Sequence, residues 1–146
     1  MIRIILLVFC LVLVFQPGAI SQKPSPVQWS FSVVKLNQNT IELTAEAKMK
    51  DNWVIYSQDT EAGGPIPTAF TLNNSDIVLE EKSTHVSEFD EVFEVTVKKF
   101  KNKAVFFKKI TGDFQSGSLH GSVTYMTCDG EKCLPPATVD FNLVIN

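Results

Sequence analysis

The chain reads as an all-β protein, an immunoglobulin-like antiparallel β-sandwich. Three observations predict this. Apolar and polar residues alternate with a period of two in several segments, the mark of strands with one wet face. No stretch sustains a helical period. The alternating runs are short, and polar turns bearing Asn, Asp or Gly separate them. About nine strands are expected from that spacing.

The amino terminus is read separately from the fold. Arg3 precedes the apolar run 4–15, Gln16-Pro17-Gly18 breaks it, and Ala19-Ile20-Ser21 offers small residues for cleavage. Residues 1–21 are predicted to be a secretory signal peptide, cut at or near Ser21. The run falls short of the roughly 20 apolar residues a bilayer span needs. It also continues past Cys10 through 11–15, which argues against lipidation of that cysteine. Residues 22–26 (Gln-Lys-Pro-Ser-Pro) form an extended leader, and 27–146 the domain.

Within the domain, Trp29, Phe31 and Val33 alternate with Ser30 and Ser32, and 36–40 turns the chain. Ile41, Leu43, Ala45 and Ala47 alternate with Glu42, Thr44, Glu46 and Lys48. Asp51-Asn52 is the next turn, before a short strand Trp53-Val54-Ile55-Tyr56. Gly63-Gly64-Pro65-Ile66-Pro67 is a loop by composition. Residues 68–72 and 77–79 are strand candidates on either side of Asn73-Asn74-Ser75-Asp76. Segment 80–91 is polar and irregular, with Phe89 its main large apolar residue. Phe93, Val95 and Val97 alternate with Glu94, Thr96 and Lys98, and Lys101-Asn102-Lys103 turns into 104–110. Residues 111–118 read as a loop and 119–127 as a strand. Pro135-Pro136 acts as a stop, and Val139, Phe141, Leu143 and Ile145 form the last strand. One domain is expected, with no membrane-spanning segment after signal cleavage. It is large enough to bury roughly two-thirds of its unfolded surface.

The formal charge is -3, and loss of Arg3 removes the sole arginine. Bidentate phosphate recognition favours arginine, and the lysines are interspersed with acids, so nucleic acid is not an expected partner.

Cys128 and Cys133 are the two cysteines outside the signal, in Val123-Thr124-Tyr125-Met126-Thr127-Cys128-Asp129-Gly130-Glu131-Lys132-Cys133-Leu134-Pro135-Pro136. An even count in an exported chain implies an oxidising compartment and a candidate disulfide. Two chemistries fit the spacing. One is a structural staple, although so small a ring contributes only about 2 kcal/mol in the chain-entropy model. The other is a reversible dithiol, in which a thiolate attacks an accessible sulfur and a nearby second thiol resolves the mixed disulfide. Lys132 favours a thiolate at Cys133, and Asp129 opposes one at Cys128.

The Tyr125–Pro136 segment resembles the active-site segment of the amino-terminal periplasmic domain of DsbD, the thiol–disulfide interchange protein. Upstream, Asp51-Asn52-Trp53-Val54-Ile55-Tyr56-Ser57 and Gly64-Pro65-Ile66-Pro67-Thr68-Ala69-Phe70 occur in the order of that family. The resemblance implies an immunoglobulin-like domain that passes electrons between thioredoxin-like proteins and periplasmic thiol proteins. It implies Cys133 as the exchange nucleophile and Cys128 as its partner. It implies a cap with a phenylalanine, matched here by Glu88-Phe89, and places Tyr56 near the site. Phe89 as a buried aromatic and Tyr56 as a core tyrosine are the structural alternatives. Two departures stand out. The insert between the cysteines is shorter than in familiar members, and the family's membrane transporter and thioredoxin-like domains are not in this sequence. The expectation is therefore a periplasmic shuttle that depends on thioredoxin-like partners or a separate membrane thiol reductase. A non-catalytic binding or assembly module with a structural disulfide is the alternative.

Other chemistries have less behind them. Structural zinc wants four ligands, and His85 and His120 are not at motif spacing. Copper(I), a soft ion, accepts two thiolates and a thioether such as Met126. The ligand count is against a metal role, Met126 reads as strand packing beside Tyr125, and neither metal nor cofactor is expected. No Gly-x-Ser-x-Gly elbow is present. Asn73-Asn74-Ser75 matches a glycosylation acceptor, a coincidence in the bacterial protein that the resemblance implies.

Overall fold

In a computed structural model of the chain, residues 25–91, 93–114 and 117–145 are described. The expected signal peptide lies outside them, as does most of the leader. The leader's last residues are docked on the domain. Pro26 is buried, its carbonyl accepts the Lys50 amide at 2.8 Å, and Ser25 Oγ lies 3.3 Å from the Tyr125 hydroxyl.

The described residues form eleven strands, β1 (Val27–Asn37), β2 (Thr40–Met49), β3 (Val54–Tyr56), β4 (Ala69–Leu72), β5 (Ser75–Ile77), β6 (Glu80–Glu81), β7 (Val86–Asp90), β8 (Val95–Lys101), β9 (Lys103–Thr111), β10 (Gly117–Cys128) and β11 (Cys133–Ile145). Every pairing is antiparallel. One sheet runs β1-β2-β9-β6. The second runs β5-β4-β10-β3-β8-β7, with β11 beside β10. The fold is the all-β sandwich that the period-two pattern predicts.

The two sheets bury their alternating apolar faces against each other. Leu43, Ala45, Ala47, Ala104 and Phe106 from the first sheet meet Ile55, Phe70, Phe100, Val123 and Tyr125 from the second. Trp29 lies 5.5 Å from Tyr125 and 5.9 Å from Phe106, ring centre to ring centre, and so ties the layers together. Gly121 on β10 is needed for close packing. A Cβ there would come within 2.4 Å of Phe141 Cζ and 2.5 Å of the Thr71 carbonyl oxygen.

Three sequence expectations are corrected. Segment 80–91 is not irregular, because it contains β6 and β7. Both are edge strands, and β7 is exposed along almost its whole length. A strand with little buried face carries no hydrophobic period to read. Pro135-Pro136 is not a stop, because β11 begins at Cys133 and runs through it. Proline cannot donate to a ladder and is tolerated on an edge or at a bulge. Here the ladder shifts register between Tyr125 and Thr127, opposite the two prolines. The 77–79 candidate is displaced too, since Asn73 and Asn74 supply the turn with φ of 48° and 64° and β5 starts at Ser75.

Candidate thiol–disulfide site

Cys128 ends β10 and Cys133 begins β11. They face each other directly in the ladder, joined by a disulfide, with Cα atoms 4.1 Å apart. The turn between them is held by other means. Asp129 Oδ1 accepts the Glu131 amide at 3.1 Å and the Lys132 amide at 3.0 Å, and the Asp129 amide donates to the Lys132 carbonyl at 3.1 Å. Gly130 takes φ +92°, which a side chain would disfavour. The amide bonds from Lys132 and Glu131 hold the Asp129 carboxyl below the usual carboxylate range.

The pleat puts the disulfide on the outer face of the second sheet. Ile55 of β3 belongs to the core between the sheets. Its neighbours Val54 and Tyr56 point the other way and pack with Val97 and Cys128, flanked by Val95 and Met126. The bond therefore joins two adjacent strands of one sheet. It does not bridge the layers as the inter-sheet disulfide of antibody domains does. The two cysteines also differ in exposure. Cys128 is 5 % exposed, whereas Cys133 is an exposed residue.

A cleft of about 670 Å³ opens over the pair. The turn 129–132, Trp53, Val54 and Tyr56 line it, with Asp90 and Phe93 from the end of β7 and the turn that follows. Lys101, Val54, Cys128 and Cys133 form one row across four strands. Lys99, Lys101 and Lys132 are balanced on the cleft wall by Asp90, Asp129 and Glu131, so the wall carries no strong field of one sign. Tyr56 is 3 % exposed. Burial first, then the Asp90 and Glu88 carboxylates, push its hydroxyl up to about 12, so it stays a neutral donor at any physiological pH.

The structure brings Tyr56, Cys128 and Cys133 together. Glu88 lies at the margin, ion-paired to Lys99 of the cleft wall. Phe89 is not in the cleft. In the β7–β8 ladder, Glu88 pairs with Val97 and Asp90 with Val95, while Phe89 pairs with Thr96 on the opposite face and is 63 % exposed. The phenylalanine that lines the cleft, beside Trp53 and Tyr56, is Phe93, which the alternating pattern assigned to strand packing. Its amide donates to Asp90 Oδ1 at 3.2 Å, and the Glu94 amide to the Asp90 carbonyl at 2.8 Å, so Asp90 shapes the turn that presents the ring. The available signal was proximity in sequence, since Phe93 lies in the turn two residues before Val95, and Val95 and Val97 pack with Cys128. The histidines are elsewhere, His85 3.9 Å from Glu81 and His120 3.0 Å from Ser118 Oγ.

No family model and no curated protein matches the sequence. Solved structures do match. The N-terminal periplasmic domain of ScsB from Proteus mirabilis aligns with a TM-score of 0.58 and 16% identity, over 82% of this chain and 45% of that one. The chain thus spans less than half of the ScsB chain it matches. The N-terminal domain of DsbD from Neisseria meningitidis, in its reduced form, aligns with a TM-score of 0.54 and 14% identity, over 78% of this chain and 83% of that one. This chain has the fold of those N-terminal domains. The resemblance seen around Cys128 and Cys133 is met at the level of the fold, and the disulfide is in place. Among the described residues, no helix is long and apolar enough to cross a membrane.

Proposed function

We propose that the chain is an exported thiol–disulfide exchange domain that shuttles electrons to or from thioredoxin-like proteins through Cys128 and Cys133. The observation that carries this is the asymmetry of the pair, with an exposed Cys133 and a buried Cys128 lining one cleft. The turn supports it as well. Asp129 already holds the hairpin through three hydrogen bonds, which leaves a staple there little to do.

In the oxidised form a partner thiolate attacks Cys133 Sγ. The S–S bond breaks, and Cys128 leaves as a thiolate that takes up a proton. The partner's second thiolate then attacks the mixed disulfide and releases Cys133. Two electrons and two protons pass from the partner dithiol to the pair, and the partner becomes a disulfide. The reverse sequence reduces a target disulfide, with Cys133 as nucleophile and Cys128 as resolving thiol. Lys132 beside Cys133 favours its thiolate. Tyr56 packs in one cluster with Cys128, and Phe93 lines the same cleft, which supports a sheltered Cys128. The similar domain of ScsB is periplasmic, which supports a periplasmic site of action. Partners would be thioredoxin-like proteins or a separate membrane thiol reductase.

Trapping tests this. Cys128→Ala should accumulate a mixed disulfide through Cys133 with a thioredoxin-like partner, and Cys133→Ala should accumulate little. If neither variant traps a partner, and reduced thioredoxin leaves the native disulfide intact, the domain is an inert binding or assembly module.

A further inference from the structure

The cleft that the disulfide lines has a volume of about 670 Å³, within the range of small-molecule pockets, roughly 300–1,000 Å³. Trp53, Val54, Tyr56 and Phe93 give it apolar lining, and Asp90, Lys99, Lys101, Asp129, Glu131 and Lys132 supply the charges. Three of these charges are already engaged. Lys99 is ion-paired to Glu88, Asp129 accepts the Glu131 and Lys132 amides, and Asp90 accepts the Phe93 amide. Among the described residues, no ion pair engages Lys101, Lys132 or Glu131. Lys132 directly precedes Cys133, and Lys101 ends the row that runs through Val54 and Cys128 to Cys133. Two ammonium groups and one carboxylate, none of them ion-paired, thus share a cleft with the disulfide.

Resting on the exchange reading for the chemistry of the pair, we propose that the cleft binds a small zwitterionic thiol of the glutathione class as a second exchange substrate. Such a molecule carries two carboxylates and one ammonium group beside its thiol, the complement of the charges that the wall leaves without ion pairs. Its thiolate attacks Cys133 Sγ, the S–S bond breaks, and Cys128 leaves as a thiolate that takes up a proton. A second small-molecule thiolate attacks the small-molecule sulfur of the mixed disulfide, and Cys133 leaves and is protonated in turn. Two small thiols thereby give two electrons and two protons to the pair and become one small-molecule disulfide. The reverse sequence reoxidises the domain. Lys101 takes no part in the bond changes; it pairs with a carboxylate of the bound thiol and sets specificity.

The test uses the oxidised domain and two probes, glutathione and the neutral thiol β-mercaptoethanol. Reduction of the disulfide, followed by acid quenching and mass spectrometry, should saturate with glutathione and rise linearly with the neutral thiol. Cys128→Ala treated with glutathione disulfide should gain one glutathione on Cys133. Below saturation, Lys101→Gln should slow the glutathione reaction by about 3-fold, the size of one solvent-exposed ion pair. The same substitution should leave the rate with the neutral thiol unchanged. A glutathione rate that stays linear would overturn the site, as would a Lys101→Gln variant that slows both thiols alike or neither. The protein partner is tested separately by trapping. Saturable reduction by glutathione without any trapped thioredoxin-like protein would remove that partner alone, and trapping without saturation would remove this site alone.

Discussion

Reducing the Cys128–Cys133 bond should leave the sandwich folded. The cysteines are five apart in sequence, and a closed ring of about six residues is worth only ~2 kcal/mol in the chain-entropy model. The bond joins neighbouring strands on the outer face, so its loss opens nothing between the sheets. The turn keeps the three hydrogen bonds of Asp129. Unfolding entropy of ~2.1 cal/mol/K per residue gives ~250 cal/mol/K for about 120 residues, so ~2 kcal/mol corresponds to a fall of about 8 °C in Tm. Thermal melts followed by far-ultraviolet circular dichroism, with and without a phosphine reductant, read this directly. The Cys128→Ala/Cys133→Ala double variant should match the reduced protein. A shuttle must be stable in both redox states. If the reduced chain is unfolded at room temperature, or loses more than twice the expected shift, the bond is a structural staple and the exchange reading fails with it.

Phe93→Ala should speed reduction of the disulfide by a small dithiol several-fold, because the ring lines the cleft, while Phe89→Ala should leave the rate unchanged; acceleration by Phe89→Ala alone would reverse the assignment. Tyr56 should titrate near 12 in the folded protein, against an ordinary value of 10.0, as followed by tyrosinate absorbance. Its folded pKa is raised, so its contribution to stability is complete below pH 10 and is lost as pH rises from 10 to 12. Tyr56→Phe should remove that part of the alkaline destabilisation, and a Tyr56 that titrates at its ordinary value would mean the hydroxyl is not buried.

Legibility in the sequence follows burial. Along β2, Ile41, Leu43, Ala45 and Ala47 are all at most 1 % exposed, and their alternation is plain in the sequence. The Asp51-Asn52 and Lys101-Asn102-Lys103 turns are equally plain, because Asn52 and Asn102 take left-handed φ of 69° and 64°, a region Asn tolerates. Strands that hydrogen-bond without burying a face send no such signal. Glu81 of β6 accepts hydrogen bonds from Ser57 Oγ and the Gln58 amide at 2.9 and 2.8 Å. Glu88 of β7 is ion-paired to Lys99. Those partners lie 11 to 24 residues away, beyond the reach of any local pattern.

The site divides along the same line. Cys128, its turn and Cys133 are contiguous, so their opposition could be read from a few residues. The phenylalanine that lines the cleft beside them could not, because its choice depends on which face of β7 meets the cleft. Glu88-Phe89 matches the expected cap in order. Yet both residues lie within one strand, and successive side chains of a strand point to opposite faces. Once Glu88 faces Val97 and the cleft side, Phe89 must face away. A phenylalanine on the cleft side has to come from another strand position or from the turn before β8, and Phe93 lies in that turn. The register of the ladder between β7 and β8 thus turns Phe89 away from the cleft, and no local sequence pattern reports that register.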